Sequence, residues 1–250
     1  TRRGELSRRM AARRLAALWP TGEGLDMLGL GYAPPYLEPY RPRARRAIAA
    51  MPAAQGVERW PEEGGNLSVL VEEERLPFMD AVFDRVLLVH ALEEADDPRA
   101  LLREVWRVMA PEGRLVVIAA NRAGLWARAD STPFGHGRPY SRGQLAGLLS
   151  ESLFEPTASA RALYAPPLNW PLVFALGDGF ERTGQVLAAG FGGLILMEAV
   201  KRLYADAAGE RRKILLAPGP ARAKSQPGVA APRLRSGGEH AIGKGEGPPP

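Results

Sequence analysis

Apolar positions fall along the chain in short runs separated by polar or proline-rich breaks. Residues 24–30 form one such run, entering Gly31, and predict a first strand. Pro34 and Pro35 then allow only the first turn of a helix. Residues 46–51, ended by Pro52, and residues 66–71, ended by Glu72, Glu73 and Glu74, predict a second and a third strand. Residues 82–89 predict the fourth. Residues 98–109 place Leu101, Leu102, Val105 and Met109 on one helical stripe, with Asp96 or Asp97 available as the cap. A Pro-Glu-Gly turn at 111–113 leads into a fifth strand at 114–119. Near the start, residues 10–18 read as a helix with Leu15 and Leu18 as apolar points and Pro20 as the stop. Residues 141–150 read as a helix capped by Ser141, and 154–163 as a strand. Residues 169–187 are mixed and helical in part, and 193–204 form a last buried strand.

Two apolar strands joined by one helix, as at 83–119, make a βαβ unit, which requires a parallel sheet covered on both faces. Alternation of strands and helices along the chain predicts an α/β, doubly wound, Rossmann-like sheet. Such sheets bind ligands outside the carboxyl ends of their strands. The length of 250 residues suits one large domain or two small ones, and a 46% hydrophobic fraction is ample for a core.

Charge changes the picture only at the ends. The net charge is +5, but residues 1–19 carry +5 and residues 218–250 carry +3, leaving −3 for the middle. The chain therefore divides into a basic helix at 1–19, a domain at 20–217 and a tail at 218–250. The tail holds seven Pro and seven Gly with almost no large apolar residue, a composition expected to be disordered. The acidic middle lacks a basic face with interleaved aromatics, which argues against a nucleic-acid partner. An arginine-rich helix touching RNA or an anionic membrane is the alternative to a solvated face. No apolar run reaches the length of a membrane span, and the first twenty residues have no signal-peptide pattern. Cysteine is absent, which removes disulfides, thiolate zinc sites and cysteine nucleophiles and fits a cytoplasmic protein. No metal-ligand set is read.

The spelling of 83–119 resembles the class I S-adenosylmethionine-dependent methyltransferases, in the type 11-like group. Phe83, Asp84, Leu92, Asp97, Pro98, Met109, Pro111 and Gly113 fall in register with that family's pattern. The resemblance covers roughly residues 20–205. It implies seven strands, the last antiparallel and inserted beside the fifth. It also implies S-adenosylmethionine as cofactor and a small molecule as substrate.

On the same resemblance, Gly29 and Gly31 match a degenerate Gly-x-Gly-x-Gly turn, with Tyr32 and then Ala33 in place of the third glycine. Asp26 lies one position too early for the motif's acid. The ribose-binding carboxylate expected after the second strand is missing, because the chain reads Met51-Pro52-Ala53-Ala54-Gln55-Gly56. Met51 is placed to pack on adenine and Gln55 to hydrogen-bond the ribose. Glu72 takes the position of the acid that accepts from the adenine amino group, with Leu76 beside it, and Glu73 and Glu74 read as a solvated turn. His90, just past the fourth strand, lines the methionine end of the cofactor. His90, His136 and Tyr140 are the candidates for catalysis. The loop at 121–141, with Asn121, Arg122, Trp126, His136, Arg138 and Tyr140, is the candidate substrate wall. A non-catalytic regulatory or scaffolding protein on the same fold, with a protein partner, is the second reading, and RNA methylation the third.

Overall fold

The computed structural model describes residues 2–128, 137–166, 179–181, 183–184, 190–202 and 215–216. His136, most of the 169–187 segment and the 218–250 tail lie outside the described residues.

Helix α1 (Arg2–Leu18) leads into strand β1 (Asp26–Gly31), the single-turn helix α2 (Pro34–Leu37), β2 (Arg46–Pro52), β3 (Ser68–Val71) and β4 (Phe83–Val89). A short helix α3 (Ala91–Glu94) and helix α4 (Pro98–Val108) connect to β5 (Met109–Ala120). Helix α5 (Arg142–Glu151), β6 (Phe154–Ala162), β7 (Leu194–Lys201) and a two-residue β8 (Leu215–Leu216) follow. The sheet order is β3-β2-β1-β4-β5-β7-β6-β8. Strands β1 to β5 pair in parallel, and β7 runs antiparallel to both β5 and β6. The expected seven strands and inserted antiparallel strand are present, with β8 added at the β6 edge.

Local chemistry explains the elements. The Asp97 carboxylate caps α4 by accepting from the amides of Arg99 and Ala100, and Pro98 fills the first turn. Ser141 and Gln144 form a reciprocal capping box on α5. Strand β3 starts two residues later than the apolar run, because Asn66 Oδ1 accepts from the amides of Trp60 and Ser68 and holds the chain in a turn. Two boundaries differ more. Met109 is extended and opens β5, pairing with Phe83, so the Pro-Glu-Gly stretch lies inside the strand at a register shift. Helix α1 begins eight residues before the predicted start. Leu6, Met10, Ala11 and Leu15 are its buried apolar residues, and they join the core with Trp19.

Each sheet face has its own core. One joins α1, α2 and Trp19 to Met27, Leu87, Val116 and Leu196. The other joins α4 and α5 to Leu28, Leu88, Val117 and Met197. Leu101 and Leu102 of α4 are fully buried, and truncating either to Ala removes about 2–5 kcal/mol of stability. The chain leaves β1 toward β2 and β3 on one side and returns to β4 and β5 on the other. The order thus reverses at β1 and β4, whose carboxyl ends form the crevice of a switched α/β sheet.

Candidate functional site

The crevice floor is built by backbone. Gly31 ends β1 with φ +78, and a Cβ there would stand 2.4 Å from the Val89 carbonyl oxygen of β4. Only glycine meets both conditions. The next amide, that of Tyr32, donates to the same carbonyl at 3.0 Å, and the Tyr32 side chain is 69% exposed above the edge. Gly29 serves a different purpose. A Cβ on it would meet Ala33 Cβ at 2.5 Å and Leu37 Cδ1 at 2.6 Å, so its missing side chain lets α2 lie close to β1. Space expected for a ligand is filled here by the chain itself.

One side of the crevice is acidic. The Gln55 amide donates to Glu94 at 2.8 Å, joining the turn after β2 to the end of α3. Glu72 is exposed and forms a backbone bridge with Arg75. Glu73, read from sequence as solvated, is half-buried. Burial first, then the carboxylates of Asp96, Glu94 and Glu74, push its carboxyl above the ordinary value. No arginine or lysine pairs with Glu72, Glu73, Glu74, Glu94 or Asp96 among the described residues. Met51 and Leu76 lie beneath this surface in the two cores. The Met51 sulfur accepts from the Glu58 amide at 3.1 Å, and the Leu76 amide donates to Glu104 at 2.9 Å. Both side chains face inward and contribute apolar support rather than an open ring-binding face. Asp26, the acid nearest the glycine turn in sequence, stands at the opposite edge of the sheet. There it accepts from Arg45 at 2.5 and 3.0 Å and faces Arg46 at 3.2 Å.

The middle of the crevice holds a histidine–carboxylate pair. His90 takes the left-handed conformation, φ 56 and ψ 16, which turns the chain from β4 into α3. Its Nδ1 lies 2.9 Å from Glu93 Oε1, an oxygen that also accepts from the Ala120 amide at 2.7 Å. Glu93 is 5% exposed, and its Oε2 is buried with no hydrogen-bond partner. The spacing of His90 and Glu93 across one helical turn was the available sequence signal. Tyr140 closes this region, its hydroxyl donating to the Leu92 carbonyl at 3.1 Å. Burial, and then the nearby Glu93, raise its phenol above the usual value.

The loop after β5 divides into anchors and a wall. Asn121 is buried and donates to the carbonyls of Gly190 and Gly192 at 3.1 and 2.6 Å. Trp126 is buried and donates to the Ala165 carbonyl at 2.7 Å. These two fasten the edge. Arg122, Arg138 and Tyr140 instead line a cavity of about 900 Å³ between α4 and α5. Tyr32, Leu125 and Phe191, three exposed large apolar side chains, stand in segments that adjoin the carboxyl ends of β1 and β5.

A family profile described as a methyltransferase domain matches residues 27–117. An uncharacterised protein of Mycobacterium tuberculosis is 32% identical over 101 residues, 38% of this chain and 35% of that protein. A demethylmenaquinone methyltransferase of Mycolicibacterium paratuberculosis is 43% identical over 67 residues, 27% of this chain and 26% of that enzyme. The chain thus spans about a third or less of the length of these curated relatives. A crystal structure from Thermotoga maritima, described as a SAM-dependent methyltransferase and possible histamine N-methyltransferase, superposes with a TM-score of 0.56 at 18% identity. The match covers 79% of this chain and 91% of that one. At that identity the likeness speaks for the fold. The sheet order, the glycine turn against β4 and the sequence match agree: residues 27–117 match the methyltransferase-domain family, and the fold is similar to that of S-adenosylmethionine-dependent methyltransferases.

Proposed function

We propose that this chain is an S-adenosylmethionine-dependent methyltransferase acting on a small molecule. The observation that carries this reading is the carboxylate group Glu73, Glu94 and Asp96 beside the switch-point crevice, crowded enough to raise the Glu73 carboxyl. Beyond the Gln55 amide, no cation or hydrogen-bond donor pairs with these carboxylates among the described residues. The cofactor brings both: ribose hydroxyls, an adenine amino group, an ammonium and a sulfonium. The donor set therefore fits the group. Gly31 and Tyr32 would hold it at the β1 end, Gln55 and Glu94 at the ribose hydroxyls, Glu72 at the adenine amino group, and His90 near the methionine end. Met51 and Leu76 support that surface from below. Glu94, reached by Gln55, stands in for the acid missing after β2.

When bound, the sulfonium supplies an electrophilic methyl, so the protein has no need of a nucleophile of its own. The residues of this chain orient the acceptor and manage its proton. Glu93 fixes the His90 ring through Nδ1, and proton transfer from the acceptor then runs through Nε2. Tyr32, Leu125 and Phe191 exclude water. Glu93 is a positioning residue in this scheme.

The test is transfer of a labelled methyl group from S-adenosylmethionine to metabolite pools. A labelled small-molecule product is expected, with His90→Ala lowering kcat about 100-fold. Absence of label across polar and lipid pools ends the enzyme reading. If S-adenosylhomocysteine also fails to bind at about millimolar concentration, the non-catalytic scaffold reading takes its place.

A further inference from the structure

We infer that the groove between α4 and α5 is an anion site that takes a phosphate group. Its role as a handle for the methyl acceptor rests on the function proposed above. The cavity of about 900 Å³ is lined by Arg99, Arg122, Arg138, Tyr140, Gln144 and Glu151, among others. That volume suits a small organic ligand. Arg99 already pairs with Glu151 at 2.6 Å. Arg122 and Arg138 have no carboxylate partner among the described residues, so the lining carries an excess of two positive charges. A dianionic phosphate matches that excess; a single carboxylate leaves half of it.

The two arginines are held from the backbone. The Arg138 amide donates to the Glu93 carbonyl at 3.0 Å, and the Arg122 amide donates to the Tyr140 carbonyl at 2.9 Å. Each guanidinium therefore starts from a fixed point at the sheet edge, one of them on the residue that orients His90. Guanidinium forks suit phosphate oxygens.

Helix α5 supplies the second observation. Gly143 and Gly147 stand four residues apart on the helix and both line the cavity. A Cβ added at either would meet nothing within 4 Å. Glycine is among the least favourable helix residues, and neither position is needed for close packing. Their absent side chains leave a bare helix face as the cavity floor.

The test is a titration of the full chain with inorganic phosphate at low ionic strength, following the amide resonances of Gly143 and Gly147. Saturable shifts are expected, with acetate about tenfold weaker. The double variant Arg122→Gln/Arg138→Gln should weaken phosphate binding about tenfold or more. Arg103→Gln removes a charge from α4 outside the groove lining and should stay within about twofold of the parent. Shifts that never saturate, equal losses in both variants, or acetate as tight as phosphate would overturn the inference. S-adenosylhomocysteine affinity measured on the same samples separates the two readings. Phosphate binding without it leaves the anion site standing while the methyltransferase reading fails. The reverse removes the anion site alone.

Discussion

At the amino edge of the sheet, Asp26 is held by Arg45 and Arg46, and midway along β7 the buried Glu198 accepts from Trp19 at 3.2 Å, Arg114 at 3.0 Å and Thr157 at 2.8 Å. At the carboxyl edge, Glu73, Glu94 and Asp96 gather with no arginine or lysine paired to them among the described residues. Arg122 and Arg138, two cations of that edge, line a separate groove between α4 and α5. The same residue types give opposite electrostatics. Hydrogen bonding from Arg45 holds the Asp26 carboxyl below its ordinary value, whereas burial and like charge hold Glu73 above its own. Matched charge stabilises the fold, and unmatched charge costs stability that a ligand can return. On the function proposed above, the unmatched end is the one that takes the ligand.

The largest expected effect lies among the matched charges. Glu198→Ala removes the carboxylate that accepts from the Arg114 guanidinium, the Trp19 indole and the Thr157 hydroxyl, and should cost about 3 kcal/mol in urea unfolding. An unchanged midpoint would mean that the matched charges organise the fold no more than the unmatched ones.

Asp26→Asn should cost about 1–2 kcal/mol at neutral pH, discounted because both arginines are largely exposed. Its sign follows from a lowered pKa. The stabilisation is present above the ordinary Asp value and lost as pH falls through the depressed one. The variant and parent should therefore converge in acid, and a gap that stays constant across pH would rule out the ionic origin.

At the unmatched edge, Glu94→Gln should weaken S-adenosylhomocysteine binding about tenfold, roughly 1.4 kcal/mol, with no loss of thermal stability. A fall in Tm with unchanged affinity would make Glu94 a structural residue.

The smallest effect is at Glu73. Because its carboxyl is raised, the folded state gains from the proton at low pH and loses that gain as pH rises through the raised value. Glu73→Gln should raise Tm by about 1–2 °C at neutral pH, and the advantage should vanish below the ordinary carboxyl range. A Tm below that of the parent at neutral pH would erase the distinction between the edges.

The sequence carried the sheet well because its signals are local. Apolar runs at 46–51 and 82–89, the Asp97 and Ser141 caps, and the breaks between them act over a few residues. The site was read less fully because it depends on what meets across the fold. Gly29 and Gly31 are alike in spelling, yet one accommodates Leu37 and the other the Val89 carbonyl. Among the three glutamates after β3, the direction of the chain beyond Val71 decides that Glu73 turns toward Asp96 and Glu94. Met51 looks available in sequence, but the segment carrying Glu58 and Trp60 folds over it. Arginines 122 and 138 read as members of one loop; the groove they share with α4 and α5 exists only once those helices pack.

The position of β7 has a consequence for assembly. β6 reaches β5 only through β7, yet β7 is made last of the three. A growing chain that has not passed Lys201 leaves the hydrogen-bonding edge of β5 without its partner and β6 without a place in the sheet. Closure therefore waits on a long-range contact that forms only after β7 has been made, a slow and aggregation-exposed step. Truncations that remove residues 194–201 should yield insoluble chains even though the crevice residues up to Tyr140 are all present.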